Sequence, residues 1–264
     1  MNCPICNGNL QFFFKGKVLN NINISYFICP SCEFICTEHP HWLNEAYNNP
    51  IAFMDTGILQ RNLDNTDLLE TIINNNFSGS SKFLDYAGGY GILVRLMRDR
   101  GYNFYRYDKY CQNLFANFFN INEITSTDRF ELVTALEFFE HITNPIEEIK
   151  KIFSCTDSIY FSTVLSPDIK TAENISNWWY LTPETGQHVS FYSIKTLQII
   201  SKYFNCHLYS NFINLHILTL KKLKENPFEK KSFIKKISNL FKSENKKRES
   251  LIISDSNYIK EQLK

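Results

Sequence analysis

The hydrophobic pattern changes period several times along the chain, and each change marks an element. Residues 10–19 and 22–28 read as two short strands around a polar break at Asn20-Asn21. Helical spacing follows in His41-Trp42-Leu43 with Ala46-Tyr47, and again in Leu68-Leu69, Ile72-Ile73 and Phe77, with a turn at Asp55-Thr56-Gly57 between them. Ser78-Gly79-Ser80-Ser81 then breaks the chain. Beyond it strands and amphipathic helices alternate. Strands are predicted at 82–85, 103–107, 130–136 and 158–163, and helices at 92–100, 111–119, 145–153 and 194–204. Gly101 closes the first of these helices and Pro145 opens the third. A further strand near residues 118–121 is weakly marked. Residues 206–210 and 212–220 are too close together for a crossover, so they predict an antiparallel closing pair. The fold class is therefore α/β, a Rossmann-like parallel sheet with an antiparallel closing strand.

Composition changes this picture little. The 264 residues are 44% hydrophobic and 21% charged, ordinary for a core-forming protein. No apolar run is long enough to span a membrane and no basic, then apolar, leader opens the chain, so a cytoplasmic protein is expected. Charge is uneven. Residues 221–248 hold 11 basic and 3 acidic residues, leaving 17 basic against 24 acidic elsewhere. Such an acidic body is a poor binder of nucleic acid.

Four of the eight cysteines form two tight pairs, Cys3-x₂-Cys6 and Cys29-x₂-Cys32. Each pair aims two thiolates at one point, and together they supply the four sulfurs of a structural zinc site in a small N-terminal ribbon. Cys36, His39 and His41 stand close enough to compete as ligands. Cys111, Cys155 and Cys206 lack ligand spacing and read as buried fillers.

Between the strand at 82–85 and the helix at 92–100 runs Asp85-Tyr86-Ala87-Gly88-Gly89-Tyr90-Gly91. Small residues there let the backbone approach a ligand at a helix N-terminus. The acid ahead of the glycines would repel a pyrophosphate but suits the cationic amino group and sulfonium of S-adenosylmethionine. Asp108, at the end of the next strand, can accept hydrogen bonds from ribose hydroxyls.

Residues 81–220 thus resemble a class I S-adenosylmethionine-dependent methyltransferase, whose first motif is [D/E]-x-G-x-G-x-G. The match is Asp85-x-Ala87-x-Gly89-x-Gly91, with Ala87 departing from the first glycine. Glu137-x₂-Glu140-His141 resembles the family's motif after the fourth strand, which implies a cofactor contact for Glu137. The layout of residues 1 to about 220 is similar to zinc-ribbon-bearing methyltransferases of sugar and surface-glycan pathways. It implies transfer to a small acceptor, a hydroxyl of a nucleotide-linked or phosphorylated glycan precursor. An RNA or protein methyltransferase gripping its substrate through the ribbon, or a non-catalytic cofactor-binding scaffold, are the competing readings.

On the acceptor side, Trp178, Trp179, Tyr180 and Tyr192 fall in the loop leaving the fifth strand, where an acceptor pocket is expected. His188 in that loop, and His141 second, are the candidate general bases. The expected divisions are a ribbon at 1–40, a helical connector at 41–80, a cofactor-binding domain at 81–222 and a basic tail at 223–264. In the tail, Phe233, Ile234, Ile237, Leu240 and Phe241 recur at helical spacing among lysines. That stripe suits an anionic membrane surface, packing on the domain or a second subunit, or no fixed structure. A linker at 243–250 and a short apolar end at 251–253 follow it.

Overall fold

The computed structural model describes all residues except 49, 50, 53, 80, 123–128, 169, 170, 230–247 and 264. The basic stripe from Phe233 to Phe241 lies outside the described residues. Among those described, no helix is long and apolar enough to cross a membrane.

Two sheets carry the fold. The N-terminal one has the order β1(Gln11–Val18), β2(Ile22–Ile28), β3(Ile35–Thr37) and β8(Ser190–Phe191), all antiparallel. The main sheet has the order β5(Asn103–Tyr107), β4(Lys82–Tyr86), β6(Leu132–Ala135), β7(Ser158–Ser162), β10(Leu215–Thr219) and β9(His207–Ser210). Pairings among β5, β4, β6 and β7 are parallel, while β10 runs antiparallel to both neighbours. This is the expected Rossmann-like sheet with its antiparallel close.

Alternate residues of the central strands feed two cores, as strand geometry dictates. Val133, Ile159 and Phe161 pack with α4(Pro145–Phe153) and α6(Ile194–Tyr203), whereas Leu132 and Tyr160 pack with α2(Ile58–Asn76) and α3(Ile92–Asp99). The stripe Leu93, Val94 and Met97 of α3 is buried there against Leu69, Ile72 and Ile73 of α2. Each such side chain contributes about 1.5–3 kcal/mol by leaving water. α1(Leu43–Ala46) is a single turn, and α5(Ala172–Ser176) is capped by Thr171.

Three expectations are corrected. Residues 111–119 form no helix, because their backbone groups bond elsewhere. The Asn113 side chain accepts from the Ala116 N–H and donates to the Ala116 carbonyl, the N–H groups of Leu114 and Phe115 both reach the Tyr90 carbonyl, and Arg106 binds the Cys111 carbonyl. The weakly marked strand at 118–121 is a single parallel bridge, Arg106 to Asn120. The apolar end at 251–253 begins a further helix, α7(Ile252–Gln262), which docks on α3 through Asp255.

The ribbon is not a free-standing module. Ile35 and Cys36 of β3 pair with Phe191 and Ser190, so the N-terminal sheet takes its last strand from the loop before α6. Cys3, Ile5, Cys29, Cys32 and Phe34 share one core with Tyr192, Leu197 and Ile200.

Candidate active site

The strand-to-helix turn after β4 has the tight geometry its small residues allow. Ala87, Gly89 and Gly91 all take left-handed backbone, with φ of 55°, 53° and 85°. A Cβ at Gly91 would stand 2.8 Å from the Ala116 Cβ, so only glycine fits, while a Cβ at Gly89 would meet only Ile51, at 3.7 Å. Gly89 thus presents open backbone. Ala87 holds the same conformation at a strain glycine would not carry.

Asp85 lies against Gly88, where an added Cβ would stand 2.8 Å from its Oδ2. Its carboxylate is buried and accepts a 2.6 Å hydrogen bond from Thr134. Burial pushes its pKa up to about 7. Asp108 faces the turn. Its Oδ2 accepts from the Gly89 N–H at 2.9 Å, and its Oδ1 from the N–H groups of Tyr110 and Cys111 at 2.8 and 2.7 Å. Gly88 donates to the Tyr107 carbonyl at 3.2 Å.

Arg106, absent from the sequence reading, ties this region together. Fully inside the protein, it donates to the Gly89 carbonyl at 2.6 Å, to Asn120 at 2.7 Å and to the Cys111 carbonyl. An arginine at the same inward position as Phe104 on a short strand was the available signal. Arg61 of α2 was missed as well. Its guanidinium holds both oxygens of Asp55 at 2.7 Å and lies 3.8 Å from Glu137.

A cavity of about 510 Å³ opens beside the turn. Ala87, Gly89 and Asp108 form part of its wall, and Leu43, Asn44, Tyr47, Glu137, His141 and Thr143 another part. A smaller one of about 120 Å³, lined by Arg61, Asp85, Gly88 and Glu137 among others, shares Ile51, Ala87 and Gly89 with it. Glu137 reaches both, and accepts from the Ser162 hydroxyl at 2.6 Å.

His141 is in the wall of the larger cavity, whereas His188 packs edge-on behind it with ring centroids 4.9 Å apart. Burial lowers both, His141 to about 3 and His188 to about 4. The aromatic residues expected to line an acceptor pocket are placed elsewhere. Tyr180 and Tyr192 are core residues, Trp178 packs on Tyr180 and Phe191, and Trp179 is 71% exposed. Trp178, Tyr180 and Tyr192 fill the joint between the ribbon sheet and the main domain instead, because β8 draws their loop under the ribbon.

Comparison with known proteins decides the family. The profile of the family described as a methyltransferase domain matches residues 58–211, more than half of the chain. The chain belongs to this family. It is an S-adenosylmethionine-dependent methyltransferase. No curated protein sequence matches it. Among solved structures it is similar to the plantazolicin methyltransferase BpumL in complex with SAH, at 10% identity over 69% of this chain and 95% of that one, with a TM-score of 0.44. It is also similar to magnesium protoporphyrin IX methyltransferase (ChlM) from Synechocystis PCC 6803 with bound SAH, at 13% identity over 67% and 90%, with a TM-score of 0.42. The family assignment rests on the sequence match and not on these superpositions.

Open backbone at Gly89, a carboxylate at Asp108 and a cavity within the ~300–1,000 Å³ of small-molecule sites all meet at one place. The four cysteine sulfurs of Cys3, Cys6, Cys29 and Cys32 likewise lie within 4.8 Å of one another, with Cys3–Cys32 and Cys6–Cys29 each at 3.5 Å. Four sulfurs so grouped suit a tetrahedral zinc ion at Zn–S distances of about 2.3 Å. Cys36, His39 and His41 are not in that group.

Proposed function

We propose that the methyltransferase holds the methyl donor against the Ala87, Gly89 and Asp108 wall and a small acceptor against the wall made by Asn44, Tyr47, His141 and Thr143. The single cavity that joins both walls is the observation behind this reading. The cofactor supplies an electrophilic methyl group, and the chain's task is alignment of acceptor, methyl and sulfur. Asp108 receives a ribose hydroxyl on the lone pair left on Oδ2, and Glu137 faces the cofactor from the end of β6. The four-cysteine cluster holds a structural zinc ion.

The acceptor is a hydroxyl of a nucleotide-linked or phosphorylated sugar used for surface glycan. Exposed Lys109 and Lys151 at the cavity give a phosphate two cationic partners, and the ribbon-bearing layout resembles glycan methyltransferases. The net acidic body favours such an acceptor over RNA. His141 takes the contact role in the cavity wall and His188 supports it from behind. An imidazole this hard to protonate is a weak base by itself.

A panel of nucleotide-sugars and sugar phosphates, scored by S-adenosylhomocysteine release, tests the acceptor. Turnover with at least one of them and none with RNA is expected; release only with RNA or peptide would overturn the proposal. The cofactor wall has its own test. Calorimetry should show S-adenosylmethionine binding weakened by roughly 1–3 kcal/mol in Asp108→Ala. Unchanged affinity in that variant would remove Asp108 from the ribose site.

A further inference from the structure

Behind the cavity wall three side chains converge whose grouping methyl alignment does not explain. Glu140 is completely buried in the short 3-10 turn Phe139–His141. Its Oε1 accepts a 2.6 Å hydrogen bond from the Tyr180 hydroxyl, while no donor reaches its buried Oε2 with good hydrogen-bond geometry, the Thr163 hydroxyl and the Glu140 N–H being the other donors near the carboxylate. A ligand atom of Glu140, one of His141 and one of His188 all lie within 4.8 Å of one another.

Hydrogen bonds assign the imidazole tautomers. His188 Nδ1 lies 2.7 Å from the Tyr180 carbonyl, an acceptor only, so that nitrogen carries the proton. His141 Nδ1 lies 3.2 Å from the Gln187 carbonyl and 3.0 Å from the Tyr47 hydroxyl. Only the Nδ1–H form satisfies that carbonyl, and the Tyr47 oxygen can share the same donor. Both Nε2 atoms then present lone pairs. Histidines that bind metals ordinarily hold their other N–H on a carbonyl in this way.

A buried carboxylate oxygen beside two imidazoles whose free nitrogens are acceptors offers three electron-pair donors that a cation would satisfy. We propose that Glu140, His141 and His188 bind one divalent transition-metal ion, through one carboxylate and two imidazole nitrogens. Three protein ligands leave coordination positions open. Since His141 is also cavity wall, the ion stands on the acceptor side, where it polarises an acceptor oxygen that a neutral histidine activates poorly. Only this last step rests on the proposed methyl transfer; the site itself does not.

The test uses the full chain with its ribbon zinc retained. Mn²⁺ suits oxygen and imidazole ligands and not a four-thiolate site, so loss of the free-ion resonance signal counts this site alone. One Mn²⁺ per chain is expected, with affinity at least 10-fold weaker in each of Glu140→Gln, His141→Gln and His188→Gln. His141, the cavity-wall residue, keeps the test available if removing a buried partner prevents folding. Absence of Mn²⁺ binding by the wild-type chain would overturn the site, and so would binding unchanged in the variants that fold. S-adenosylmethionine affinity, measured in parallel, separates a failed metal site from a failed cofactor site. A metal-binding chain that turns over equally well with and without Mn²⁺ would overturn the acceptor role alone.

Discussion

Replacing Cys3 or Cys32 by serine is expected to strip zinc from the chain and to unfold far more than residues 1–40. Zinc sites in finger peptides are worth about 10–16 kcal/mol, and removing one of four thiolates forfeits most of that. In an isolated ribbon the damage would stay local. Here the knuckle holding Cys29 and Cys32 sits on the N-terminus of α6, where the Thr196 hydroxyl donates to the Cys32 carbonyl at 2.8 Å. The same core contains Cys3, Cys32 and Phe34 from the ribbon and Tyr192, Leu197 and Ile200 from the main domain. Losing the metal therefore withdraws support from β8 and from the loop carrying Gln187 and His188. Purified wild-type protein should hold one ribbon zinc that the variants lack, while Cys36→Ser keeps it. Hydrogen exchange should show protection lost together in β1–β3, β8 and the first turn of α6. Full zinc content in Cys3→Ser and Cys32→Ser, or exchange that rises only in residues 1–40, would contradict this coupling.

How much of this was legible in the sequence follows from the range of the interactions involved. The glycine turn, Asp108 and the bounds of α4 were readable because each is a local event: small residues between two periods, an acid at a strand end, a proline at a helix start. The paired cysteines were readable for the same reason. The β3–β8 pairing joins residues far apart in the chain, and no periodicity encodes it. That pairing explains why Tyr180 and Tyr192, read as pocket residues, are core. Residues 111–119 kept a helical spacing of apolar residues, yet Arg106 and Asn113 captured the carbonyls and N–H groups a helix would need. Both histidines were found as candidates, but their order in space was not. Glu140 drew notice only within a motif, since nothing local shows that one of its oxygens is buried without a donor in good geometry.

The tail yields the second large effect. Asp255→Ala is expected to destabilise the protein by about 3–5 kcal/mol, the cost of leaving a buried charge without its partner. Asp255 and Arg98 are 4% and 5% exposed. Arg98 gives Asp255 two hydrogen bonds, at 2.7 and 2.8 Å, and Arg95 adds a third at 3.0 Å. The Nη1 donors of Arg98 are committed to Asn103 and the Phe104 carbonyl, and its guanidinium lies 3.6 Å from the centre of the Phe119 ring. With the aspartate gone, that cation stays enclosed against the β5 edge and cannot rotate into water without breaking those bonds. Gly101 adds evidence that the chain is fitted here. A Cβ at that position would come within 2.4 Å of the Glu249 carbonyl oxygen, so the segment entering α7 crosses the end of α3 only because the residue is glycine. Urea denaturation of the full chain measures the loss, and truncation after Leu223 should lower stability at least as much. Converting both partners together, as Arg98→Leu with Asp255→Leu, should recover part of it, because an apolar pair carries no unmet charge. A change below about 1 kcal/mol in Asp255→Ala, with the double variant no better than the single, would mean that α7 does not hold Arg98 in solution.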